Sequence, residues 1–204
     1  MQVIQVDDID SAVSKAADSL RRGDVLVYPT DTIYGLGADA FSDAAVDKVY
    51  AIKGRDSQKP IHCVVADMAM AASYGEVNDA AIKIAEAFLP GALTLVLKRK
   101  PGVEGGIARG IDTIGIRIPK NQFCIELARV FGSPYTTTSA NLAGREPGAT
   151  VEEICAQIAD SADLVIDAGP VMFSTPSTVV DVSSGAPVIL REGAVPSQEI
   201  LRLF

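Results

Sequence analysis

The chain has no tryptophan, a single histidine, three cysteines in 204 residues, and no apolar run approaching the length of a bilayer span. Each scarcity narrows the chemistry. His62 sits in an apolar run, and no serine has a nucleophile-elbow context, which speaks against a hydrolase triad and reads as a histidine packed on its strand. Cys63, Cys124 and Cys155 are odd in number, far apart and without C-x-x-C spacing. That usage suits a reducing cytosol and buried small hydrophobes, with no thiolate-stabilising neighbour in sight. No group of Cys, His and carboxylate residues has metal-ligand spacing, so no protein metal site is expected. The amino terminus carries Asp7, Asp8 and Asp10 where a secretory leader would be positive. A cytoplasmic protein without membrane association is the expectation. Cations are also in deficit, 18 Lys and Arg against 26 Asp and Glu, net −8. That balance disfavours nonspecific coating of nucleic acid but leaves room for a local basic pocket.

What is present is an alternation of short β-branched runs with segments of helical period, the pattern of an α/β fold. Strands are predicted at 3–6, 25–28, 61–65, 93–98, 113–118, 135–138, 164–167, 177–182 and 187–190. Helices are predicted at 11–22, 43–52, 78–88, 122–131, 151–160 and 198–203. Thr150 with Glu153 forms a capping-box pattern, and Gly23 and Gly54 stand where left-handed helix ends favour glycine. The last two strands are separated by only Ser183, Ser184, Gly185 and Ala186, a hairpin spacing. An antiparallel pair there makes the sheet mixed rather than purely parallel. With no linker or repeat, residues 1–204 are expected to form one domain.

Three polar segments follow predicted strands, where ligands gather in open α/β sheets. The first, 29–37, is hydroxyl-rich and ends Gly35-Leu36-Gly37, glycines that would let backbone approach a ligand or simply serve a β-to-α connection. The G-x-G-x-x-A match there is not a dinucleotide fingerprint, because residues 29–34 separate it from the preceding strand. The second holds Lys53, Gly54, Arg55 and Lys59. These cations fit either a helix C-terminus or a clamp on a triphosphate. The third is 136–141 with Ser177 to Asp181 later in the chain, hydroxyls and amides suited to orienting a small polar substrate or, more plainly, to helix capping. Arg117 lies within a strand-like run, where a guanidinium needs a carboxylate from the protein or a ligand.

The motifs P-T-D-T-x-Y-G-L-G at 29–37, K-G-R at 53–55, P-G-A-L-T at 90–94, T-I-G-I-R at 113–117, S-A-N at 139–141, S-T-V-V-D at 177–181 and R-E-G at 191–193 occur in family order. Together they resemble the YrdC family, the threonylcarbamoyl-AMP synthases. The resemblance implies a twisted mixed parallel/antiparallel sheet with flanking helices and a large concave basic cavity. It also implies an activity, formation of threonylcarbamoyl adenylate and pyrophosphate from L-threonine, bicarbonate and ATP, with Mg2+ bound to the ATP. By motif matching, Thr32, Arg117, Thr137 and Ser177 are expected to contact threonine. Arg55, Lys59, Thr113, Ser139, Asn141 and Arg191 are expected to contact ATP, with Lys53 beside the phosphates and Lys53 and Arg55 carrying catalysis.

The partners implied are a tRNA threonylcarbamoyltransferase complex that receives the adenylate for tRNA modification, and RNA itself. Many relatives place a histidine four residues after the equivalent of Pro60; Val64 stands there, and His62 inherits no substrate role. Glycine-rich loop 99–112 is a candidate cover for the site. Two other readings are a noncatalytic double-stranded RNA-binding module and a family paralogue acting on a different carbamoyl or acyl substrate.

Overall fold

The computed structural model describes residues 2–6, 8–57, 59–158, 161–171 and 175–204. Along the chain the first elements are β1 (Gln2–Gln5), α1 (Ile9–Arg21), β2 (Leu26–Tyr28), β3 (Gly35–Gly37), α2 (Asp43–Lys53) and β4 (His62–Val64). Then come α3 (Met68–Tyr74), β5 (Gly75–Glu76), α4 (Asp79–Phe88), β6 (Leu93–Arg99), β7 (Thr113–Arg117) and α5 (Gln122–Phe131). The remainder is β8 (Tyr135–Ser139), α6 (Val151–Ile158), β9 (Leu164–Asp167), β10 (Thr178–Asp181), β11 (Val188–Arg191) and α7 (Ser197–Leu201). The strands form one sheet in the order β1-β9-β2-β3-β8-β4-β7-β6-β10-β11, with β5 paired to β6. The sheet is mixed: β1, β2 and β9 run parallel, as do β4 with β7 and β6 with β10, while the remaining pairs are antiparallel. The predicted hairpin is β10–β11, with Val180 opposite Ile189.

Both faces bury apolar side chains, which is why the strands read as continuous apolar runs instead of alternating ones. On one face Val27, Cys63, Leu95 and Ile116 join residues of α2, α4 and α6 in a single core. On the other face Leu26, Tyr28, Val64, Tyr135 and Leu164 pack under α1 and α5. Ala12, Ala16 and Ala17 let α1 lie close against that face.

Three elements depart from the sequence expectation. Gly35-Leu36-Gly37 is the strand β3, antiparallel to β2, not the start of a β-to-α connection. Its glycines accommodate Tyr28, since a Cβ on Gly35 or Gly37 would fall 2.9 Å from the Tyr28 ring. α3 was not foreseen because its sequence, MAMAASY, shows almost no polar periodicity; the Asp67 side chain caps it by accepting the Met70 N–H at 2.8 Å. β5 is two residues long, below what pattern reading resolves. Thr150 does accept the Glu153 N–H at 3.3 Å, but the Glu153 carboxylate reaches the Ala149 N–H instead of the capping residue's own. The last two residues of the helix predicted at 151–160, and Asp7, lie outside the described residues.

Loop 99–112, the candidate cover, is bonded to α2. The Gly106 N–H donates to the Asp43 carboxylate at 2.5 Å, and Arg109 pairs with Asp47. A Cβ on Gly106 would fall 2.0 Å from the Ala40 carbonyl oxygen, so only glycine permits this approach.

Candidate active site

Beside α1 and α5, the same face of the sheet opens onto a cavity. Strand alternation puts His62 on that face with Val64, Gly115 and Arg117 with Thr113, and Thr137 and Ser139 with Tyr135. Thr94 of β6 is the cross-strand partner of Arg117. Of these, His62, Thr94, Arg117, Thr137 and Ser139 form the floor of a cavity of about 290 Å3. Its walls come from the β2–β3 loop, with Thr30, Thr32 and Tyr34, from Arg55 and Pro60 beyond α2, from Asn141, Arg145 and Pro147, and from Pro176, Ser177 and Arg191.

The β2–β3 loop is held by its own hydroxyls. Thr30 Oγ1 accepts the N–H groups of Thr32 and Ile33 at 3.1 and 3.2 Å, and lies 3.0 Å from Thr32 Oγ1. This turn presents Asp31 and Thr32 to Arg117, whose Nη2 donates to Asp31 Oδ1 at 2.5 Å and Thr32 Oγ1 at 2.8 Å. Asp31 Oδ2 accepts the Lys120 N–H at 2.9 Å. Arg117 has therefore found the carboxylate its burial demands, and the side chains of the pair are only 7% and 11% exposed. Because the pair is neutral overall, Arg117 offers donors to the cavity more than net charge.

Four arginines, Arg55, Arg117, Arg145 and Arg191, line the same cavity. Burial first, then the neighbouring guanidiniums of Arg117 and Arg55, lowers the pKa of Arg191. Arg191 in turn anchors Ser177, donating to its carbonyl oxygen at 2.8 Å and to its hydroxyl at 3.2 Å, while Ser177 Oγ lies 3.0 Å from Thr94 Oγ1. The Nε atoms of Arg55 and Arg117 are buried with no acceptor among the described residues. Four guanidiniums converging on one cavity, beside Thr32, Thr94, Thr137 and Ser177, suit an anionic ligand.

Of the residues expected to touch substrates, the cavity gathers Thr32, Arg55, Arg117, Thr137, Ser139, Asn141, Ser177 and Arg191. Lys53, Lys59 and Thr113 are not in its wall. Lys53 is 3% exposed and its ammonium donates to the carbonyl oxygens of Ser139 and Asn141 at 2.5 and 2.9 Å, so it holds the Ser139-Ala140-Asn141 turn instead of reaching toward a ligand. Burial, with a smaller push from Arg55, brings its pKa down to about 8. Lys59 is exposed. Thr113 shares the face of Arg117 but lies four residues back along β7, roughly 13 Å at strand spacing. Asn141 is committed as well, its Nδ2 donating to the carbonyls of Leu142 and Arg145 at 2.9 and 2.5 Å.

Sequence reasoning missed Thr30, Tyr34, His62, Thr94, Arg145, Pro147 and Pro176 as lining residues. A signal existed for His62, which precedes Val64 by one strand period, and for Thr30 in the P-T-D-T motif.

A family profile described as "Telomere recombination", spanning the Sua5, YciO and YrdC proteins, matches residues 18–193. The chain belongs to this family. A Bacillus subtilis relative named threonylcarbamoyl-AMP synthase is 34% identical over 193 residues, 94% of this chain and 56% of that protein. A Methanocaldococcus jannaschii relative provisionally given the same name is 43% identical over 180 residues, 88% of this chain and 84% of that one. Among solved structures, Pyrococcus abyssi Sua5 complexed with L-threonine superposes with a TM-score of 0.91 at 29% identity, over 100% of this chain and 60% of its own. The chain thus spans little more than half the length of the Bacillus and Pyrococcus family members. Among the described residues no helix is long and apolar enough to cross a membrane.

Proposed function

We propose that this member of the Sua5, YciO and YrdC family is a nucleotidyltransferase, a threonylcarbamoyl-AMP synthase. It condenses L-threonine, bicarbonate and ATP to threonylcarbamoyl adenylate and pyrophosphate, for hand-off to a tRNA threonylcarbamoyltransferase complex. The observation that carries this reading is the convergence of Arg55, Arg117, Arg145 and Arg191 on one cavity that also presents Thr32, Thr137 and Ser177.

The reaction has two stages. Threonine's amine and bicarbonate give a carbamate and water; the carbamate oxygen then attacks the α-phosphorus of ATP, and the bond to the pyrophosphate oxygen breaks. No covalent enzyme intermediate is required, so catalysis rests on alignment and on stabilising developing negative charge. Arg117 holds the threonine carboxylate through the donors that Asp31 leaves free, while Thr32, Thr137 and Ser177 orient the amino acid. Arg55 and Arg191 screen the phosphates. Lys53 and Asn141 act one step removed, by fixing the turn that presents Ser139. Lys59 and Thr113 meet the nucleotide only where it extends past the cavity.

The nucleotide enters as its magnesium complex. No cluster of three or more His, Cys, Asp or Glu capable of holding a metal occurs among the described residues, and Asp31 is already paired, which fits an ion carried by phosphate and water oxygens. No observation favours the RNA-binding module: Arg117 is buried and Arg55 half-buried in the cavity wall, whereas an RNA helix is read from an exposed surface.

The test is exchange of labelled pyrophosphate into ATP by the full chain. Exchange should require threonine and bicarbonate together. Exchange that ignores threonine, or that another amino acid supports equally well, refutes the assignment.

A further inference from the structure

His62 is the one histidine of the chain, and the reaction above leaves it without a role. In β4 it faces Thr137 of β8 and borders the cavity among the residues assigned to threonine. β7 makes room for its ring: a Cβ on Gly115 would come within 2.3 Å of the imidazole Cδ2 and 3.1 Å of Nε2. A glycine in the middle of a buried strand is costly, and here its missing side chain is the space the imidazole occupies. No hydrogen bond to either ring nitrogen occurs among the described residues.

The first stage of the reaction needs a proton acceptor. Threonine's ammonium and bicarbonate give the carbamate, one water and one proton: the amine lone pair bonds to the bicarbonate carbon, a C–O bond breaks, and nitrogen must shed protons to do so. Other candidates in or beside the cavity are committed. Asp31 is paired with Arg117, and the Lys53 ammonium is bound to two carbonyls. The Tyr34 hydroxyl donates to the Gly169 carbonyl oxygen at 2.8 Å and accepts the Ala168 N–H at 3.0 Å.

We propose that His62 is the proton acceptor for the threonine amine as it becomes a carbamate, an inference that rests on the synthase reading above. The imidazole takes one proton to become imidazolium, the amine nitrogen is left neutral in the carbamate, and water leaves; charge and atoms balance without another reactant. The charged groups acting on the ring are Arg191 of β11, Arg55 beyond α2 and Arg117 of β7, and β8 presents Thr137, which does not titrate. Burial and then these three guanidiniums push the imidazole pKa down to about 4, so it is neutral in the empty enzyme at physiological pH. Bound phosphates and carboxylate offset the guanidinium charge and raise its basicity once the substrates are in place. The arrangement favours proton uptake only in the loaded cavity.

The experiment compares wild type, H62Q and H62A for pyrophosphate release with ATP, threonine and bicarbonate, across pH, alongside melting curves and threonine calorimetry. The expected result is kcat about 100-fold lower in both variants, near-normal threonine affinity, loss of the acid limb of the wild-type pH profile, and partial recovery of H62A by added imidazole. H62Q that folds, keeps kcat within about threefold of wild type and keeps the acid limb overturns the base. H62Q that loses threonine binding with kcat unchanged at saturation also overturns it, leaving a positioning contact. A wild type that releases no pyrophosphate overturns the synthase reading first, which separates that failure from this one.

Discussion

At the scale of single residues, the cavity divides into groups that face the ligand and groups that hold those in place. Arg55 and Lys53 are two positions apart in one motif yet fall on opposite sides of that division. R55A should cost about 2–4 kcal/mol of transition-state stabilisation, read from kcat/KM, while leaving the melting temperature nearly unchanged. K53M should lower both, because its ammonium fixes the carbonyls of Ser139 and Asn141. An unchanged melting temperature for K53M would restore the phosphate-contact role the motif suggests. Asp31 invites a different test. D31N removes the partner of a buried guanidinium, and breaking such a pair costs about 3–5 kcal/mol, measurable as a shift in the urea midpoint. Threonine affinity should fall with it as Arg117 loses its fixed orientation. The K-G-R motif was legible in sequence as a cation cluster; which of its cations meets the cavity was not, since Gly54 ends the helix in a left-handed turn that takes Arg55 off the helical period of Lys53.

At the scale of elements, close backbone approaches set the walls. Gly193 is one: a Cβ there would lie 2.1 Å from the Pro176 carbonyl oxygen and 2.6 Å from the Ser177 carbonyl carbon, and its N–H donates to Thr178 Oγ1 at 2.9 Å. G193A should push the 176–178 segment away from β11 and weaken both Ser177 and Arg191 as ligand contacts, seen as reduced ATP and threonine uptake by calorimetry. Loop 99–112 gives the opposite expectation. Arg109 is raised in pKa chiefly by its hydrogen bond to Asp47, but the pair is solvent-exposed, so R109A should cost under about 1 kcal/mol of stability. Faster proteolysis within the loop and unchanged turnover are the expected pair of results; a large loss of turnover would return the loop to the role of cover. The longer elements were legible because their apolar periodicity is strong, as in α5, where Phe123, Cys124, Leu127 and Ala128 are buried. β3 was not, because its side chains are two glycines and a leucine that give no alternation.

At the scale of the whole molecule, the sheet order assembles the cavity from distant parts of the chain. β4, β7 and β6 form the centre of one half, β8 joins β4 to the β2–β3 hairpin, and β10–β11 closes the other side. A ligand that touches all of these tethers both halves of the sheet. ATP and threonine, each at about 100 times its dissociation constant, should stabilise the fold by about 2.7 kcal/mol per independent site, read as a rise in melting temperature. No shift with both present would mean the cavity does not bind them. The sequence alone determined the alternating architecture, the mixed sheet through the hairpin spacing around Ser183 to Ala186, and the motifs that mark the family, because these depend on local period and on order along the chain. Only the tertiary structure decided which motif residues line the cavity, that Arg117 takes Asp31, that Lys53 faces inward to backbone carbonyls, and that His62 lies over Gly115. Those outcomes depend on strand register and on which part of a sheet face opens onto the cavity, and neither is encoded within any one segment.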